Sequence, residues 1–101
     1  MSITLYIKSK KAGNNQILPL VKSAIEAEIV RLELAVELAN KRLIPYEKKY
    51  DVASDHFIAH LTAEDLDGRD DEYVTWAGEY KLKQRLESKL QQLREIKYGD
   101  T

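Results

Sequence analysis

One hundred and one residues make a single domain, and 44% apolar residues suffice for a core, which argues against disorder. A charged fraction of 33% with only two Pro and four Gly favours long helices over a sandwich of short strands. A net charge of −1 argues against general nucleic-acid binding, and the lack of Cys excludes disulfides, thiolate catalysis and Cys-ligated zinc.

The charge is unevenly spread. Residues 1–50 carry nine bases against five acids, and residues 51–101 carry seven against twelve. Eight of those acids fall within residues 51–72, beside one Arg. Such a chain can dock its own halves, pair with a copy of itself, or face a charged partner. The sequence shows no signal peptide and no membrane-length apolar run, so a cytoplasmic protein is expected.

In chain order, Ile3, Leu5 and Ile7 alternate with Thr4, Tyr6 and Lys8, a period of two that predicts a short strand followed by a polar turn, within residues 1–15. One strand cannot satisfy its own backbone, so pairing with the same strand of a second copy is one expectation. Pro19 then suits the first turn of a long helix over 18–50. Ile25, Ile29, Leu32, Val36, Ala39, Leu43, Tyr46 and Tyr50 follow at alternating four and three. This heptad stripe nominates Ile25, Ile29, Leu32, Val36 and Leu43 as self-association residues. A second set, Val21, Ala27, Val30, Leu34 and Leu38, widens the apolar surface beyond what one partner helix covers. Pro45 is expected to bend this helix rather than stop it.

Asp51 is expected to close the helix in the left-handed region. A short helix over 53–61 holds Phe57, Ile58 and Leu61, with Ser54 as the expected cap. An acidic loop, 62–70, leads to a last helix over 70–97 capped by Asp70 or Asp71. The two long helices would span about 45 Å and about 40 Å, too elongated for one hairpin to cover apolar surface on two faces. The expected fold is therefore all-α: two long helices in an antiparallel hairpin with a short helix at the bend, plus an N-terminal strand, assembled as a dimer or larger bundle.

Motifs for chemistry are missing. His56 and His60 stand four apart, but no Cys and no H-E-x-x-H frame supports a metal site. With Gly68 at the glycine position of a calcium loop, the first and last ligands would be Ala63 and Val74, so calcium is not expected. There is no glycine-rich phosphate loop and no G-x-S-x-G serine. No cofactor, small-molecule substrate or catalytic activity is expected. Tyr73, Trp76 and Tyr80 form an aromatic cluster at helical spacing, either core or binding anchors. Gly78 beside them suggests close backbone approach by a neighbour. The ribbon–helix–helix alternative, with Thr4, Tyr6 and Lys8 on DNA, lacks the two short helices that fold requires, so DNA binding is expected to be weak at most.

The segments Tyr46-Glu47-Lys48-Lys49-Tyr50-Asp51-Val52-Ala53-Ser54-Asp55-His56-Phe57 and Gly68-Arg69-Asp70-Asp71-Glu72-Tyr73-Val74-Thr75-Trp76-Ala77-Gly78-Glu79 resemble a family of short helical proteins common in cyanobacteria and archaea. That family is similar to the antitoxin side of TumE/TumA-type toxin–antitoxin pairs. The resemblance covers roughly residues 18–98 and rests on caps, turns and core positions. Asp51 departs from the usual Gly at the turn, and Ala53 stands where a capping Ser or Thr is common. The resemblance implies a protein-binding antitoxin whose partner is a cognate toxin. For such a partner the candidate contact residues are Glu64, Asp65 and Asp67 in the acidic loop, with Tyr73, Trp76 and Tyr80 as anchors: charge to steer the encounter, rings to hold it.

Overall fold

A computed structural model describes residues 2–7, 17–60 and 70–99. The described elements are a strand β1 (Ile3–Tyr6), helices α1 (Ile17–Tyr50), α2 (Ser54–His60) and α3 (Asp70–Arg94), and a strand β2 (Ile96–Gly99). The protein is mostly helical, and no helix among the described residues is long and apolar enough to cross a membrane.

α1 is continuous through Pro45. Pro45 lacks the N–H that would reach the Lys41 carbonyl, yet one missing bond does not break a helix held along its length by tertiary packing. The helix ends as the sequence suggests. Asp51 takes a φ of 53°, and the Val52 N–H donates to the Glu47 carbonyl at 3.2 Å. Left-handed residue and six-to-one bond together form a Schellman ending, with Asp where Gly is usual.

α3 lies along α1, and its partners fall in number as those of α1 rise. Glu33 pairs with Arg94, Arg42 with Glu79 and Lys49 with Glu72, at 2.6, 2.8 and 2.6 Å. Such half-exposed pairs contribute about 0–1 kcal/mol each, so they fix register more than stability. The buried side chains between and beside the helices are Leu32, Ala39 and Leu43 from α1, Phe57 from α2, and Trp76 and Leu90 from α3. Leu32 and Leu43 are thus covered within the chain, with Ile25, Ile29 and Val36 half-buried on the same face. The stripe nominated for self-association is therefore largely occupied by the chain's own packing. A heptad stripe specifies a helical partner, and here α3 is that partner.

Two expectations at the chain's ends are corrected. The last helix stops at Arg94 instead of continuing to residue 97, and Ile96–Gly99 is a strand. β1 pairs with this strand, parallel, in the register Ile3↔Ile96 through Tyr6↔Gly99, not with a second copy of itself. The Ile3 N–H donates to the Glu95 carbonyl at 3.1 Å. The Tyr6 ring lies where a Cβ at Gly99 would stand, so glycine is what lets that exposed ring lie across β2. The molecule is elongated, 66 × 22 × 18 Å, with a radius of gyration of 19.8 Å against about 13 Å for a compact chain of this length.

Candidate interaction surface

The α2 end of the molecule holds an aromatic cluster built around Trp76. Its ring stacks on Phe57 with centroids 3.7 Å apart and planes 5° apart, and Tyr46 and Tyr50 each stack on it at 5.6 Å. Phe57 meets Tyr73 edge-on at 5.2 Å. Trp76 is 0% exposed, and its Nε1–H donates to Ser54 Oγ at 2.8 Å. The Ser54 hydroxyl in turn donates to Glu47 Oε2 at 2.8 Å, and the same oxygen accepts the Ser54 backbone N–H at 2.9 Å. Glu47 thereby does across the turn what a capping side chain does locally: it satisfies a free N–H in the first turn of α2.

Three expectations change here. Trp76 cannot serve as an outward anchor, because its whole surface and its one polar atom are used inside the chain. Ser54 does not cap α2 with its own oxygen, which bridges Trp76 and Glu47 instead; the first helical bond runs from the Phe57 N–H to the Ala53 carbonyl, 3.0 Å. Gly78 meets nothing within 4 Å of where a Cβ would stand, so no other element among the described residues packs closely on it. Tyr73 and Tyr80 are half-buried against the Trp76 cluster, leaving partial edges at the surface. Val74, not singled out by sequence, is the exposed apolar side chain of this segment. Glu64, Asp65 and Asp67 lie outside the described residues.

Both carboxylate oxygens of Glu72 are used, one by Lys49 and one by the Tyr50 hydroxyl. His56 and His60 are exposed with ring centroids 4.5 Å apart, and among the described residues no three His, Cys, Asp or Glu side chains are grouped to hold a metal. On α3, Lys81, Gln84, Arg85 and Ser88 line a shallow, open depression of about 430 Å³. All four come from one helix, and among the described residues no second wall converges on a ligand there. Farther along α1, the Glu28 carboxyl is held below the usual carboxylate range by the hydrogen bonds of Arg31, at 2.6 and 2.7 Å.

What stands open to solvent is the outer side of α1. Leu20, Val30, Leu34 and Leu38 are 65, 64, 55 and 44% exposed. At about 100° per residue, Leu34 is roughly 180° from Leu43, and Leu20, Ala27, Val30 and Leu38 fall within roughly 40° of Leu34. α1 is therefore apolar on two opposite sides, one against α3 and one facing water. Isolated exposed leucines are ordinary, but an aligned row along one helix is not.

No protein-family model, curated protein or solved structure matches the chain.

Proposed function

We propose that this chain is a non-enzymatic, cytoplasmic protein-binding module. It is an antiparallel helical hairpin that assembles with other chains. In the form the sequence resemblance implies, it is the antitoxin of a toxin–antitoxin pair and neutralises its toxin by direct complex formation. The observation that carries the binding role is the apolar row on the outer side of α1, which the chain itself leaves in water. The aromatic and carboxylate groups at the α2 end support the same reading, because they are engaged in holding the fold rather than poised for chemistry. The toxin contact is assigned to the acidic loop, with Glu64, Asp65 and Asp67, and to the start of α3, where Val74 and the edges of Tyr73 and Tyr80 reach the surface. Charge there would speed encounter with a basic cleft, and the apolar side chains would slow release.

The test is co-expression with the product of each gene adjacent to this one. Growth rescue together with a stable co-purified complex is expected, and reversing the charges at Glu64, Asp65 and Asp67 should weaken both while helicity is retained. A folded, abundant chain that neither rescues growth nor retains such a product would overturn the antitoxin assignment. A structural adaptor would then be the better description.

A further inference from the structure

Resting on the reading that the chain works by binding protein, we infer that the outer face of α1 is covered by a second copy of the same chain. The two α1 helices run antiparallel, with a two-fold axis crossing near residues 32–34. Three observations lead to this occupant.

Position comes first. α1 spans Ile17–Tyr50, so its midpoint falls between Glu33 and Leu34, and the exposed row extends to both sides of it. An antiparallel pair crossing there overlaps over nearly the whole helix. Leu34 then packs on Val30 of the second copy, and Leu38 comes level with Ala27 on the same flank of the seam. A two-fold contact must be self-complementary in this way, which a face evolved for an unrelated protein need not be.

Charge selects the orientation. Toward its C-terminal end the row is interrupted by Lys41, which pairs with Glu37 at 3.8 Å. A parallel pair would set Lys41 against Lys41 and Glu37 against Glu37 beside the seam, and like charges so placed are repulsive. The antiparallel pair instead brings Lys41 within about one turn of Glu26 of the second copy, on the same flank of the seam.

Area is sufficient. Leu20, Val30, Leu34 and Leu38 together expose roughly 400 Å² of side chain, already the scale of the largest apolar patch on ordinary monomers. With Ala27, Ile44 and the stems of the flanking charged residues, each copy would contribute on the order of 800 Å², the size of a standard specific interface.

The full chain, 11.7 kDa, is tested by light scattering after size exclusion at micromolar concentration, beside Leu34→Glu. The wild type is expected at twice the chain mass. Leu34→Glu places two carboxylates near the axis and should raise the dissociation constant at least about a hundredfold, with unchanged helicity because Leu34 is not one of the buried core side chains. Orientation is read by disulfide trapping in this Cys-free chain, mixing Ser23→Cys with Lys41→Cys. Cross-links between the two different variants are expected; Ser23→Cys linked to itself would overturn the antiparallel arrangement. A monomeric wild type would overturn self-pairing altogether. The binding role is separately readable. If the wild type is monomeric but Leu34→Glu releases the co-expressed neighbour protein, the face belongs to that partner. If Leu34→Glu alters neither mass nor capture, the outer face of α1 is not a binding surface at all.

Discussion

Replacing Ser54 by Ala deletes one oxygen and leaves two groups without their partner. The Trp76 Nε1–H, in a ring with no exposure, would keep its place in the stack but lose its acceptor. Glu47 would lose one of its two bonds to residue 54 and keep the other, from the backbone N–H. A buried donor left unsatisfied costs about 1–3 kcal/mol, and a hydrogen bond to a charged acceptor contributes about 1.5–3 kcal/mol. The Glu47 carboxylate is only partly buried and can recruit water, so the second loss is discounted to about 1 kcal/mol. The expected destabilisation is about 2–4 kcal/mol, a large share of the roughly 5–15 kcal/mol typical of a domain. Urea unfolding followed by circular dichroism and by the fluorescence of the single Trp would measure it, at one fixed protein concentration because the proposed self-association would contribute to apparent stability. The midpoint should fall without a change in slope. A double-mutant cycle with Trp76→Phe sharpens the test: without the indole N–H, Ser54→Ala should cost about 1–2 kcal/mol less. A Ser54→Ala variant within about 0.5 kcal/mol of wild type, or a coupling of zero, would refute the bridge between Trp76 and Glu47.

Gly78→Ala should stabilise the protein by about 0.5–1 kcal/mol, since the new methyl meets nothing and a helix-interior Gly is costly; a loss of stability by thermal melt would mean the site is crowded in solution. Asp51→Gly should likewise stabilise, by about 0.5–1 kcal/mol, by relieving the left-handed residue after α1, and a lower melting temperature would contradict that ending. Gly99→Val should displace the Tyr6 ring and weaken the β1–β2 pairing, seen as reduced amide-exchange protection at Ile3, while Trp76 fluorescence remains native-like.

The helices could be read from the sequence because their signals are local. The heptad spacing from Ile25 to Tyr50, the Asp51 ending and the small-residue opening of α2 each act over one or two turns. The partner of a stripe is a different matter. Leu32 and Leu43 have the same spacing whether they meet α3 or another chain, so periodicity could not reveal that the nominated self-association face was used internally, nor that the second set was the open one. The end of α3 was missed because Ile96 continues the three-residue step of Leu90 and Leu93. What redirects it into a strand is pairing with β1, an interaction across nearly the whole chain. The bridge from Glu47 through Ser54 is not visible in the sequence for the same kind of reason: their meeting depends on the path of the turn, and the third member, Trp76, arrives from another helix.

The parallel pairing of β1 with β2 bears on how the molecule opens. Parallel neighbours need a crossover between them, and here that crossover is the entire helical body. The two strands can find register only after α1 and α3 have brought their ends together, which makes them late partners in folding. Two strands alone are marginally stable, so they can also part while the helices stay packed. The Trp76 cluster, at the other end of the long axis, would not register the event. Amide exchange should therefore resolve two levels of protection in one small chain: a low one at Ile3 and its neighbours in the clasp, and a high one around Leu43 and Trp76 that yields only when the whole structure does.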